Sequence, residues 1–259
     1  MILGALHFPP IENIVEWPAY FGEGTIVEFN KIAIINILAV LIPTVMFLMA
    51  GSRAKANPTG VPRGIRGVAE SSVEFIENGI IMQTIGKDGI RYLPLLISLF
   101  FFISFGNLFE IIPTFQMPSN ARMANPLFLA LLVLVIFISV GIKHNGPGYL
   151  INAINPPGVP FALKFLVIPI EFLSTYIVRP FSLAVRLFAN MLAGHILLVT
   201  FGVLCITVWS MSPLVLTLGL AFPMLVGLTG FELGVAFLQG YIFTILTGVY
   251  IGGALHLDH

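Results

Sequence analysis

Between Arg179 and Val199 the chain reads RPFSLAVRLFANMLAGHILLV, which sets Arg186 in an apolar segment with Asn190 and His195. Farther on, FELGVAFLQGY carries Glu232 and Gln239 into a second apolar segment. Arginine keeps its proton at every physiological pH, so it cannot escape burial by neutralising itself. Placing one at mid-bilayer costs roughly 2.5 to 3.5 kcal/mol on insertion scales and about 10 or more on an isolated helix. Such a residue has to face protein, a water-filled cavity or an anionic partner, with a structural ion pair as the plainer alternative. A histidine near a glutamate can pass protons at neutral pH, whereas a fixed cation cannot pass them but can block them. The chemistry these types suggest is proton transfer past a permanent charge. Asn107 and Glu110 in SFGNLFEIIP are three residues apart, on one side of a helix, and extend the set. Glu171 and Arg179 lie nearer the cytoplasmic end of the same long segment as Arg186.

The elements that hold these residues must cross a membrane. The chain has 259 residues, 58% of them hydrophobic and 9% charged, with a mean hydropathy of +1.00; a soluble chain carries about 25% charge. The 12 basic and 12 acidic side chains cancel, so charge gives no reason to expect a nucleic-acid partner. A single cysteine, Cys205, excludes a disulfide framework and a cysteine metal cluster, and no metal or cofactor is expected. MILGALHFPP lacks a basic start and its apolar run breaks at Pro9-Pro10, so the first spanning helix is expected to act as the insertion signal.

Residues 1–30 hold Glu12, Glu16, Glu23 and Glu28 and no basic residue, and form an outer segment. A span follows over 31–50, bent at Pro43. The loop beyond it carries Arg53, Lys55, Arg63 and Arg66 without an acid, which places it in the cytoplasm and the N-terminus outside. Over 64–89, Val68, Phe75, Ile76 and Ile80 recur near helical spacing while Glu70, Glu74 and Glu77 share the polar side, as in an interfacial amphipathic helix. Further spans are expected over 92–112, ended by Pro113, and 126–142, returning to Lys143 and His144. HNGPGYLINAINPPGVP is a loop. The apolar stretches 161–209 and 214–255 would each exceed about 60 Å as helices, about twice the hydrocarbon thickness, so each reads as one tilted helix. Ala189 and Ala193 on the first and Gly230 and Gly234 on the second mark close-packing faces. The fold class is therefore an all-α integral membrane protein, one membrane domain over 1–259. It has about five embedded helices and one interfacial helix, with 161–255 an antiparallel hairpin and the C-terminus cytoplasmic.

Facing residues of an antiparallel hairpin have numbers of constant sum. Arg186 with Gln239 gives 425 and His195 with Glu232 gives 427, and half of either is close to 213, the proline of WSMSP. One register therefore sets Arg186 opposite Gln239 and His195 opposite Glu232. At 100° per residue, Glu232 and Gln239 fall within about 20° of one face, Asn190 lies about 40° from Arg186, and Arg186 and His195 fall about 180° apart. His195 and Glu232 are then expected to line an aqueous pocket inside the bundle while Arg186 and Asn190 look outward.

RPFSLAVRLFANMLAGHILL followed by FELGVAFLQGYIFTILTGVY resembles subunit a of the rotary ATP synthase, as do SFGNLFEIIP and the PPGVP linker; the likeness runs from about Val61 onward. The resemblance implies a non-catalytic stator subunit of a bacterial cell membrane, with no active site for ATP. It assigns Arg186 to the family's essential arginine, Gln239 to the glutamine facing it, Asn190 to the motif's asparagine, and His195 and Glu232 to a relay pair that some members carry exchanged. The mechanism it implies is two offset half-channels. In synthesis a proton would enter from outside near Glu110, Asn107, His195 and Glu232 and ride on a carboxylate of the turning c-ring. It would leave toward the cytoplasm near Glu171, with Arg186 favouring the deprotonated form. The implied partners are the c-ring proteolipid, the peripheral-stalk b subunits and lipid. A secondary transporter also buries charges along an ion path, but such folds often carry internal repeats and none is seen. An intramembrane hydrolase has no HExxH or GxSxG here.

Overall fold

The computed structural model describes residues 20–22, 29–58, 60–112, 115–152, 154, 160–210 and 215–255. Most of the outer segment 1–30, residues 156–159 of the PPGVP linker, residues 211–213 of WSMSP and Pro113 lie outside the described residues. In hydrocarbon every backbone N–H and C=O must be paired within its own segment, and an uninterrupted helix does this for apolar runs of this length. Seven helices are labelled here: α1 (Lys31–Ala56), α2 (Ile65–Ile76), α3 (Leu93–Leu108), α4 (Ala124–Asn145), α5 (Phe161–Leu173), α6 (Arg179–Ser210) and α7 (Val215–Leu255). A π turn, Ser174–Val178, joins α5 to α6, so the helical path runs from Phe161 to Ser210 without a reversal. Pro180 has no N–H for the carbonyl four residues back, and the π turn sits immediately before it. Among the described residues, five segments are long and apolar enough to cross a membrane, and the two longest stretches are single helical paths and not pairs of spans. At 41 residues, α7 is about 62 Å long, and about 30 Å of hydrocarbon accommodates it only obliquely.

The core lies where α7 packs against α3, α4 and α6, with Leu96, Ile103, Val133, Leu187 and Ile251 among its buried side chains. The first span, α1, packs on α3 and α2. It opens on Asn30, whose side chain accepts from the Ala33 amide at 3.1 Å.

Several sequence expectations are corrected. Helix α1 continues six residues past Ala50, so Arg53 and Lys55 sit in its last turn, where cations complement the helix C-terminus, and not in a loop. Helix α3 stops at Leu108, before Pro113, because the chain turns there: Glu110 N donates to Asn107 O at 3.1 Å and Ile111 N to Leu108 O at 3.1 Å. Glu110 thus follows the helix instead of lying in it. The span expected over 126–142 is α4, longer at both ends. The helix expected over 64–89 divides: α2 passes into a π turn, Glu77–Ile81, and a short turn, Met82–Thr84. Its second half leaves the surface, with Ile76, Ile80 and Ile81 fully buried in the main core while Val68 and Phe75 stay exposed.

Glycines of α7 explain that burial. A Cβ at Gly240 would fall on the Ser104 hydroxyl, one at Gly248 on the Thr84 side chain and one at Gly252 on the Thr84 backbone carbonyl. The helix is bare where α3 and the end of the α2 segment press into it. Ala189, Ala193, Gly230 and Gly234, expected to mark close-packing faces, are all exposed, and a Cβ at either glycine meets nothing within 4 Å. The small residues that close the hairpin internally are others, Gly194 above all.

Adjacent glycines separate packing from composition. Gly252→Val should overpack the Thr84 joint and cost about 1 to 3 kcal/mol, lowering the melting temperature of the purified chain in detergent by several degrees. Gly253→Val, at a position open within 4 Å, should leave it close to wild type. Equal losses in the two variants would show that the notch is not tightly filled.

Candidate functional site

One face of α6 carries Leu183, Ala184, Leu187, Met191, Gly194 and His195, all buried, and the opposite face carries Ser182, Arg186, Ala189, Asn190 and Ala193, all exposed. The helical period sorts these residues, since the second group falls within about 60° of Arg186. Arg186 and Asn190 look outward and His195 looks into the bundle, so the structure does not bring Arg186 and His195 together. No hydrogen bond or ion pair joins Arg186 to another described residue. Gln239 is buried, unlike the arginine expected opposite it.

Inside the bundle, the structure gathers Glu110, His195 and Glu232 from the turn after α3, from α6 and from α7, each no more than 5% exposed. His195 Nδ1 lies 3.6 Å from Glu110 Oε1. The Glu232 carboxylate occupies the space that a Cβ on Gly194 would fill, so α7 lays this acid directly against the α6 backbone. That contact sums to 426, between the two values expected of the hairpin. An imidazole beside a buried carboxylate can exchange a proton with it, and the second carboxylate lies one residue away, on Gly194.

Asn107 extends the group. It is fully buried, and its Oδ1 accepts from Asn120 Nδ2 at 2.7 Å. Ser104 Oγ, Asn107 Nδ2, Glu110 Oε1, Ser119 Oγ and Glu232 Oε2 are buried without a hydrogen-bond partner. Buried polar atoms are normally satisfied, by protein or by ordered water. Five such atoms at one end of an apolar bundle mark a region built to hold water. Ser104, Ser119, Asn120, Asn125 and Asn36 were missed from sequence. Serines and asparagines in PSNARMAN read as ordinary turn residues, and only the fold reveals their burial.

At the other end, Glu171 is half-buried and Tyr176 carries a buried hydroxyl without a partner. The Arg179 guanidinium lies 5.6 Å from the Tyr250 ring centre. Burial, then the neighbouring Tyr176, push the Tyr149 phenol above its ordinary value, against the pull of Arg179. The described polar groups therefore form two collections on either side of Arg186 along the path from α5 through α6, and Arg186 is on a different face from His195.

The sequence model of one protein family, described as ATP synthase A chain, matches residues 32–252. A protein of Frankia alni named ATP synthase subunit a is 42% identical over 96% of this chain and 87% of its own length. Proteins of the same name from Rhodococcus erythropolis and Pseudarthrobacter chlorophenolicus are 41% and 37% identical, over 97% and 96% of this chain and 91% and 94% of their own lengths.

The seat of Glu232 on Gly194 fixes which residues flank the α6–α7 seam. Cysteines at Gly194 and Glu232, in a chain with Cys205→Ser, should cross-link readily on mild oxidation, since the Glu232 side chain fills the place of a Gly194 Cβ and a disulfide needs Cα atoms within about 7 Å. Cysteines at Ala189 and Gly230, about two turns out of step, should not. Efficient linking of the second pair and not the first would show the hairpin register to be wrong.

Proposed function

The chain belongs to the family of ATP synthase A chains, and from that premise we propose that it forms two offset half-channels against a rotating ring of small proteolipid subunits. As a subunit a it is a multi-pass membrane component of the F-type ATP synthase and takes part in ATP synthesis and ion transport. The single observation carrying the proposal is the sorting of α6: Arg186 and Asn190 on an exposed face of small residues, His195 on the buried face. Ala189 and Ala193 of α6 and Gly227, Gly230 and Gly234 of α7 are exposed as well. A surface of small side chains supports a close partner helix, and an outward cation supports a partner bearing a carboxylate.

On this reading the proton enters through the buried collection of Asn107, Glu110, His195 and Glu232, with Gln239 further along the same face of α7. It neutralises a ring carboxylate, which then turns through lipid. After nearly a full turn that carboxylate meets the second collection, near Glu171, and releases the proton as it nears Arg186. A cation beside a carboxylate lowers its pKa by about 1 to 3 units, so Arg186 favours release and closes the direct route between the half-channels. The exposed side of α1, α3 and α4 is assigned to lipid and the peripheral-stalk b subunits. Arg53, Lys55, Arg63, Arg66 and Lys143 lie at the end of the bundle away from His195, which supports a cytoplasmic placement of that end, an outer N-terminus and residence in a bacterial cell membrane.

Arg186→Ala should abolish proton-driven ATP synthesis in a complex that still assembles, and Arg186→Lys should fail too, because an ammonium lacks the planar fork. Normal synthesis by an assembled Arg186→Ala complex would overturn the barrier role.

His195 and Glu232 should behave as one unit. His195→Ala and Glu232→Ala should each slow proton pumping without raising passive leak, and the double variant should be little worse than the poorer single. Exchange of the two residues should recover more activity than either single change. Strictly additive losses with no recovery on exchange would assign them separate roles.

A further inference from the structure

Four asparagines from three helices and one turn form a chain of amides leading to the buried collection. Asn125 Nδ2, at the start of α4, donates to Asn36 Oδ1 of α1 at 3.1 Å and approaches Ser119 O and Asn120 Oδ1, each at 3.4 Å. Asn120 Nδ2 donates to Asn107 Oδ1 at 2.7 Å, between two buried residues. The chain ends at Asn107 Nδ2, buried and unpartnered, and Glu110 Oε1, three residues on, is likewise buried without a hydrogen bond.

This ladder has a polarity. Ser119 O is a backbone carbonyl and can only accept, so Asn125 turns its NH₂ toward it, and the amides of Asn36 and Asn120 then meet that NH₂ with their Oδ1. With its Oδ1 toward Asn125, Asn120 must turn its NH₂ to Asn107, and Asn107 must then keep its Oδ1 in the ladder and its Nδ2 on the other side. Each amide orients the next, and hydrogen bonds in series reinforce one another in a low dielectric. A donor left over in the same buried collection as a carboxylate can stabilise the ionised acid through one water.

We propose that Asn36, Asn125 and Asn120 are positioning residues that hold Asn107 with its N–H donor presented to the proton path at Glu110. The proposal rests on the reading of this collection as the outer entry path. Helix α1, which contributes none of the groups assigned to proton transfer, takes part through Asn36, which accepts from Asn125 at 3.1 Å. Charged and titratable groups around Glu110 are His195 from α6 and Glu232 from α7; α1 brings Lys31 and the turn before α4 brings Arg122 to the same end of the bundle.

The test uses the assembled ATP synthase in membrane vesicles, with the pH of the entry compartment varied while the rate of proton-driven synthesis and the passive leak are measured. Losing the donor makes the Glu110 proton harder to release, so Asn120→Leu should move the pH of half-maximal entry upward by about one unit. Asn36→Leu should move it the same way by less, and Asn36→Ser, which restores an acceptor, should return it toward wild type. A wild-type pH profile in both leucine variants, with rates merely scaled down, would overturn the proposal and leave the ladder as packing. Should Asn120→Leu fail to assemble, the two Asn36 variants decide alone. Glu110→Gln separates this from the underlying reading. If it leaves entry unchanged, the entry path itself is misassigned. If it slows entry while the ladder variants keep the wild-type profile, only the ladder falls.

Discussion

A guanidinium in an apolar helix cannot discard its charge, so the helix bearing Arg186 must offer it a surface where charge is tolerated. That requirement governs the arrangement of α6. The buried face is committed to packing through Leu183, Leu187 and Met191 and leaves no room for a cation without an acid beside it. The outward face is made of Ser182, Ala189, Asn190 and Ala193, small enough to bring another helix close to the guanidinium. Inside the bundle Glu110 lies beside His195 and Glu232 lies on Gly194, so neither faces Arg186. On the proposed reading the guanidinium is balanced from outside the chain, by a carboxylate of a neighbouring subunit.

Glycine placement divides α7 in the same way. Where the helix meets Ser104, Thr84 and the end of the α2 segment, Gly240, Gly248 and Gly252 let backbones approach to contact. Where it meets nothing of its own chain, Gly227, Gly230 and Gly234 leave a shallow surface. The first set anchors the helix to the bundle. The second set keeps its far side smooth, and the Glu232 carboxylate pressed on Gly194 holds α6 and α7 in step between them.

Much of this was legible in the chain, for identifiable reasons. Long apolar runs announce spans because hydrocarbon tolerates little else, and a period of 100° per residue was enough to separate Arg186 from His195. The hairpin sum near 426 was readable because polar residues are too scarce in these helices for two pairs to agree often. Helix ends were less legible. The end of α3 at Leu108 depends on backbone turns around Asn107 and Glu110, and a proline at 113 suggested a later stop. Small residues were misassigned for a different reason: Gly234 and Gly240 look alike in sequence, and only the neighbours decide which one is filled. The amide ladder was not legible because a lone Asn36 in a span and the asparagines of PSNARMAN are each commonplace, and only the fold brings Asn36, Asn120 and Asn125 together.

The separation along α6 matters as much as the separation around it. Arg186 and His195 are nine positions apart, about 14 Å along the axis, and point to opposite sides. At such a distance two unit charges in a medium of effective dielectric 20 interact by about 1 kcal/mol, against about 4 kcal/mol at 4 Å. On the proposed reading the guanidinium therefore acts on a carboxylate brought beside it on the outward face about four times as strongly as on a charge near His195. Much farther away, it would leave a gap through which water could join the two polar collections. A spacing of two and a half helical turns suits that reading, in which one residue blocks and a separate group delivers.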